Sequence, residues 1–198
     1  MKKITQNWNQ QFISNTEHIG NLDLCLEIGC FEGLTSNYIA DNLLSPQGKL
    51  ICVDPLGESY ILENLDEEDI RSNEEEFSCF RGQYERFSEN SKENIDAGKI
   101  ILYRESSFLF YEKTGQEYKN RFDFIYIDGD HRPESVYKDA VNCFELCKNS
   151  GLILFDDYRW REQIPGKSTK SGIDKFLSEF EGKYEIVKEN YQILIRKI

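Results

Sequence analysis

Apolar and polar positions alternate along this chain with two different periods. Short runs rich in Ile, Leu, Val, Phe and Tyr fall at 23–29, 49–54, 99–104, 122–127 and 151–155, and each predicts a buried strand. Between them, apolar residues three and four apart predict helices over 32–44, 70–94, 134–148 and 172–181, with a short helix after Ser106. Tyr137, Ala140, Val141, Phe144 and Cys147 carry this spacing, as do Ile173, Phe176, Leu177 and Phe180. Such alternation implies an α/β fold, a mostly parallel doubly wound sheet with right-handed crossovers and helices on both faces. The pattern changes near the end. Tyr184–Val187 and Tyr191–Ile195 are separated only by Lys188, Glu189 and Asn190, a hairpin-length link that predicts an antiparallel last strand.

We find no internal repeat and no Pro- or Gly-rich linker, so an N-terminal helical segment (1–20) and one domain (21–198) are expected. One stretch, near 57–98, departs from the alternation and reads as a helical acidic insertion. Glu63 to Glu76 holds eight carboxylates, and Phe77, Phe80, Tyr84 and Phe87 then form an aromatic stripe at helical spacing. A helix packed on the core under a solvated acidic face explains this, as does a cap over a substrate pocket or a dimer surface.

The 198 residues suffice for one real core, and the net charge of −12 with no Lys/Arg block disfavours nucleic acid and anionic membranes as partners. The opening residues Met1–Gln6 lack the apolar run of a signal peptide, and no stretch approaches a membrane span, so a soluble, cytoplasmic protein is expected. The six cysteines form no C-x-x-C pair and the only histidines are His18 and His131. Reduced structural thiols are therefore expected, rather than a zinc site. Oligomeric state is left open, a homo-oligomer included.

Chemistry gathers at strand ends. The run Leu24-Cys25-Leu26-Glu27-Ile28 stops at Gly29-Cys30-Phe31-Glu32-Gly33, a glycine turn where a backbone can approach a ligand. The next strand ends in Asp54, where a carboxylate can hold ribose hydroxyls. Phe124–Ile127 runs into Asp128-Gly129-Asp130-His131, and Gly151–Phe155 into Asp156-Asp157. In a parallel sheet these ends share one edge. Asp128, Asp156 and Asp157 would converge there and suit a hard divalent ion such as Mg²⁺; equally, they could cap helices and orient loops. His131, beside these acids, suits a general base or a direct substrate contact, or a helix-start histidine bonded to Asp128 or Asp130. Trp160 could stack on a sugar or an aromatic ring, with Arg159 and Arg161 pairing an acidic acceptor, or these residues form an ordinary surface loop. Gln163–Ser171 reads as a lid or simply a loop.

Together these segments resemble the class I S-adenosylmethionine-dependent methyltransferases, and within them the small-molecule family with "LEIGxxEGxS/T", "IDGDHxxxxVxxD" and "GGxxxFDDY". Here the motifs stand at Leu26–Thr35, Ile127–Asp139 and Ser150–Tyr158, with Ser150 replacing the first glycine. The resemblance spans Asp23–Ile198 and is loose over 57–98. It implies a Rossmann-like seven-stranded sheet with an antiparallel last strand. It implies that Glu27, Gly29, Cys30 and Gly33 line the methionine part of S-adenosylmethionine. Asp54 would take the ribose, and Glu105, Ser106 and Ser107 would lie near the adenine. Asp128 belongs to the cofactor rim and, with Asp156 and Asp157, to the Mg²⁺ positions of some relatives. His131 matches the base of the sugar-modifying members. The implied reaction is methyl transfer to a hydroxyl of a small molecule, of sugar or natural-product type.

Two other readings stand beside it. Asp54 also suits the ribose of NAD, but Gly29-x-x-x-Gly33 lacks the G-x-G-x-x-G turn that a dinucleotide pyrophosphate needs. A non-catalytic binding protein on the same fold would use the aromatic stripe as its partner surface.

Overall fold

Two strongly apolar runs, Leu22–Ile28 (β1) and Phe122–Ile127 (β4), pair in parallel at the centre of a seven-stranded sheet. A computed structural model describes residues 10–57, 81–160 and 168–198. The chain begins there with a helix over residues 10–16 (α1). After β1 come Leu34–Tyr38 (α2), a π turn at Ile39–Leu43 and Leu44–Val53 (β2). Gln83–Asn90 (α3), Lys92–Asp96 (α4), Ile100–Tyr103 (β3) and Ser107–Tyr118 (α5) lead into β4. Pro133–Leu146 (α6), Cys147–Phe155 (β5), Thr169–Glu179 (α7), Tyr184–Glu189 (β6) and Ile193–Lys197 (β7) complete the order. The sheet order is β3-β2-β1-β4-β5-β7-β6, and β7 runs antiparallel between β5 and β6, as the hairpin spacing predicted.

Period-two alternation divides the sheet between two cores. Leu26, Ile28, Ile125, Ile127, Ile153 and Phe155 face α5, α6 and α7, joined by Phe144, Ile173 and Phe176. The intervening Cys25, Leu50, Cys52, Phe124, Tyr126 and Leu154 face Phe12, Ile39, Leu43 and Phe87 on the other side. Both faces are covered, which is why the central strands read as nearly continuous apolar runs.

Several boundaries depart from the sequence expectation: β2 starts at Leu44 rather than 49, α7 at Thr169 rather than 172, and β5 at Cys147 rather than 151, so that Cys147 lies in the strand and not on the helix expected over 134–148. The helix expected from residue 32 starts at Leu34, because Gly33 is still left-handed (φ 84°), and it closes in the π turn. The described part of the helix expected over 70–94 is broken at Ser91 into α3 and α4. Its residues 70–80, with the acidic run, Phe77 and Phe80, lie outside the described residues. Phe87 is fully buried in the core and Tyr84 packs against it, under the Arg104 guanidinium at 3.8 Å. The hairpin turn sits later than expected: Asn190, Tyr191 and Gln192 lie between β6 and β7, closed by Gln192 N–H donating to Asn190 Oδ1 at 2.8 Å.

Candidate active site

The strand ends align into one rim. Ile28 pairs with Val53 and with Ile127, Val53 with Tyr103, and Ile127 with Phe155. The ladder continues one residue past the strands. Gly29 N–H bonds Val53 O, Asp54 N–H bonds Tyr103 O, Asp128 N–H bonds Ile28 O and Asp156 N–H bonds Ile127 O, at 2.8–3.1 Å. The residues after β1, β2, β4 and β5 thus leave the sheet at one edge.

At the first corner, Gly29 (φ 82°) turns the chain against the β4 loop. A Cβ there would fall on the Asp128 carbonyl and within 2.8 Å of Gly129 Cα. Gly33 does the same against Ser91 and Phe87. The two glycines therefore serve close packing of the loop as well as any approach to a ligand. Asp54 braces the turn: its Oδ2 accepts from the N–H groups of Cys30 (2.9 Å) and Phe31 (3.0 Å), and Oδ1 from Leu56 N–H (2.8 Å). Burial raises the Asp54 pKa while these amides oppose the shift. Beneath the turn, Glu27 is fully buried. Its Oε2 accepts from Ser36 Oγ and from the Cys52 thiol at 3.4 Å. Its Oε1 is the one buried side-chain N or O atom among the described residues without a hydrogen-bond partner. Burial pushes the Glu27 pKa up to about 8. A carboxyl with an orphan oxygen at this place fits a ligand bearing an amine or ammonium, as the methionine end of S-adenosylmethionine does.

Glu105, Ser106 and Ser107 follow β3. Glu105 pairs with Lys113 at 2.5 Å, Ser106 Oγ caps α5 by accepting from Leu109 N–H at 3.3 Å, and Ser107 Oγ donates to Asp139 at 2.6 Å. Asp139 is buried in α6, and burial raises its pKa to about 6.

The second corner holds the acids of β4 and β5. His131 Nε2 lies 3.5 Å from Asp128 Oδ1 and 3.4 Å from Asp157 Oδ2. One donor atom from each of Asp128, His131 and Asp157 falls within 4.8 Å of the others. Burial, then the Asp156 charge, raises the Asp128 pKa well above the carboxylate range, and the same causes raise that of Asp157. Burial works against a charged His131, but its bond to Asp128 and the charges of Asp128, Asp157 and Asp156 outweigh it and raise its pKa. The two carboxylates suit a hard divalent cation, and the His131 Nε2 beside them can serve as a third ligand or as a proton acceptor, but not as both.

Asp156 takes a different place. It is buried behind the rim, with Oδ2 accepting from Tyr126 OH at 2.6 Å and Oδ1 from Gln192 Nε2 and Asp157 N–H, both at 2.8 Å. It supports the cluster from behind, while His131 stands where its carboxylate was expected. The Trp160 ring lies 5.0 Å from that of His131. Arg159 turns away to the hairpin, pairing with Glu189 at 3.7 Å and donating to Asn190 O, and Arg161 lies outside the described residues. Sequence reasoning missed Ser36, Tyr126 and Gln192. Tyr126 alone carried a signal, since it precedes Asp128 by two on a strand and so shares its face.

A sheet of this order with a glycine turn and acid-tipped strands defines a class I methyltransferase domain. A family model described as a methyltransferase domain matches residues 26–158, and the chain belongs to that family, the class I S-adenosylmethionine-dependent methyltransferases. Over 173 residues it is 26% identical to an uncharacterized protein of Acanthamoeba polyphaga mimivirus, covering 82% of this chain and 63% of that protein. The chain thus spans somewhat under two thirds of that relative's length. The fold matches the O-methyltransferase TomG of Streptomyces achromogenes, solved with S-adenosylmethionine and involved in tomaymycin synthesis (TM-score 0.61, 15% identity, 89% of this chain and 74% of that one). It matches a Bacillus cereus O-methyltransferase solved with S-adenosylhomocysteine (0.59, 15%, 96% and 78%). A Clostridium thermocellum protein, provisionally described as an rRNA methylase, shares it as well (0.64, 12%, 96% and 96%). Among the described residues no helix is long and apolar enough to cross a membrane.

Proposed function

We propose that this domain transfers the methyl group of S-adenosylmethionine to a hydroxyl of a small molecule, of sugar or natural-product type. The observation that carries this reading is the Asp128–His131–Asp157 group on the same rim as the Gly29–Gly33 turn. The names of TomG and the Bacillus cereus enzyme favour oxygen as the acceptor atom. The net charge of −12 weighs against an RNA acceptor.

The sulfonium of the cofactor supplies an electrophilic methyl group, so the protein's task is alignment and removal of the acceptor's proton. Glu27 Oε1 accepts from the cofactor's amino group. Asp54, with lone pairs beyond those its amide bonds use, holds the ribose. Ser106 and Ser107 line the adenine side. Holding acceptor and methyl in line supplies an effective molarity of up to ~10⁵ M or more. A divalent ion such as Mg²⁺, held by Asp128 and Asp157 with Asp156 behind them, would lower the pKa of an acceptor hydroxyl and offset the charge that favours protonated His131. His131 Nε2 takes the hydroxyl proton, and Trp160 provides the wall against which an acceptor ring stacks.

The test is S-adenosylhomocysteine release with a panel of catechol and sugar acceptors, for wild type and His131→Ala, with Mg²⁺ or EDTA. Turnover should need an acceptor, fall at least 100-fold in the variant, stop on chelation and return with Mg²⁺. Rates insensitive to both changes would remove the base and the metal from the reading. Absence of S-adenosylhomocysteine binding by calorimetry would remove the cofactor.

A further inference from the structure

The helix at residues 10–16 reaches the acid rim through an unbroken run of side-chain hydrogen bonds. Asn190 Nδ2 donates to Asn15 Oδ1 at 2.9 Å, and Asn15 Nδ2 donates to Gln192 Oε1 at 2.6 Å. Gln192 Nε2 donates to Asp156 Oδ1 at 2.8 Å, and that oxygen also accepts from Asp157 N–H at 2.8 Å. Asn15, Gln192 and Asp156 are all buried.

The direction of the run matters. An amide can present either its oxygen or its NH₂ to a neighbour, and only the NH₂ suits a carboxylate. Asn190 Oδ1 accepts from Gln192 N–H and, at 3.4 Å, from Asn15 Nδ2, while its NH₂ donates to Asn15 Oδ1, so the two asparagine amides fix each other's orientation. Asn15 then presents its own NH₂ to Gln192, and Gln192 is left with its NH₂ toward Asp156. Each amide dictates the next.

The run ends at a strained residue. Asp157 has φ 51°, the left-handed conformation that few residues with a side chain adopt. Three hydrogen bonds hold the Asp157 backbone: its N–H donates to Asp156 Oδ1, and its carbonyl accepts from Thr169 Oγ1 and from Trp160 N–H at 2.9 Å. This conformation brings the Asp157 carboxylate to His131. From α1, Phe12 packs edge-on against Tyr126 at 4.8 Å, the residue whose hydroxyl donates to Asp156 Oδ2.

We infer that Asn15 and Gln192 are positioning residues for the acid rim: Asn15 fixes the Gln192 amide with its NH₂ toward Asp156. Asp156, so held, locks Asp157 in the left-handed conformation that aims its carboxylate at His131. The metal-affinity arm of the test rests on the divalent site proposed above; the backbone arm does not.

The variants are Gln192→Met, which keeps the volume and removes both side-chain bonds, and Asn15→Leu, which removes the donor that orients Gln192 together with the bonds between Asn15 and Asn190. Amide hydrogen exchange is read at Asp157 by NMR in the full chain, with the Asp54 amide at the far end of the rim as reference. Mn²⁺ affinity is read by electron paramagnetic resonance, and S-adenosylhomocysteine affinity by calorimetry. In Gln192→Met, exchange at Asp157 should accelerate at least tenfold relative to Asp54 and Mn²⁺ binding weaken at least tenfold, with S-adenosylhomocysteine affinity kept within twofold. Asn15→Leu should shift the same readings in the same direction by at least threefold, and it carries the test if Gln192→Met does not fold. Exchange at Asp157 within twofold of wild type in the folded variants overturns the inference. Wild type that binds no Mn²⁺, with exchange still accelerated in the variants, leaves the positioning inference standing and ends the metal reading instead.

Discussion

Replacing Glu27 by Gln should stabilise the cofactor-free protein at pH 8 and leave it nearly unchanged at pH 5. The wild-type carboxyl has an ordinary value of 4.5 and is pushed to about 8 by burial. Below 4.5 both folded and unfolded chains carry the proton and no penalty arises. Between 4.5 and 8 the unfolded chain releases it while the folded chain keeps it, so stability falls as pH rises, by about 1.4 kcal/mol per pH unit. By pH 5 the loss is roughly 0.7 kcal/mol, and by pH 8 roughly 4 kcal/mol. Gln resembles the protonated carboxyl in shape and does not titrate, so it escapes this loss. Urea unfolding of both proteins at the two pH values gives a difference of differences in which non-ionic costs of the substitution cancel. The expected value is about 3–4 kcal/mol in favour of the variant at pH 8. A value under about 1 kcal/mol would mean that Glu27 already ionises in the folded state near its ordinary range, and that Oε1 is not an orphan. The stabilised variant should bind S-adenosylhomocysteine at least tenfold more weakly, since an amide is a poorer partner for an ammonium than a carboxylate.

Three further outcomes are expected. Gly29→Ala should cost roughly 2–5 kcal/mol by thermal or urea unfolding, because the new methyl meets the Asp128 carbonyl in a left-handed turn. Asp139→Asn should remove a fall in stability that wild type shows as pH rises from the ordinary 3.8 through about 6; unfolding at pH 4 and 7 should differ between the two by roughly 3 kcal/mol. Trp160→Ala should raise the acceptor KM by about tenfold through lost ring stacking, without altering S-adenosylhomocysteine affinity in calorimetry.

The sheet was legible because its central strands are buried on both faces. Runs such as Phe124–Ile127 leave little alternative, and strands in one parallel register must end at one edge. The short Lys188–Asn190 link was enough to predict the antiparallel pairing, but not the turn itself. Asn190 closes the turn with its side chain, which moved it and carried Gln192 into a buried position. The break at Ser91 lies where that serine packs against Gly33 and accepts from Asn37 Nδ2, contacts between residues far apart in sequence. At the rim, the adjacent acids Asp156 and Asp157 gave no indication of which would face the cluster. Both lie past the end of β5, where strand alternation no longer fixes their directions, and Asp156 is the one that Tyr126 and Gln192, from other elements, hold inward. Asp54 was legible as a rim acid, whereas its three amide bonds depend on the exact path of the Cys30–Phe31 turn.

The placement of β7 between β5 and β6 bears on how the protein is made. Until β7 is laid down, the outer edge of β5 has no partner strand and is a ready template for pairing with other chains. The same pairing that seals this edge delivers Gln192 to Asp156. Protection of the edge and completion of the acid rim are therefore one folding event.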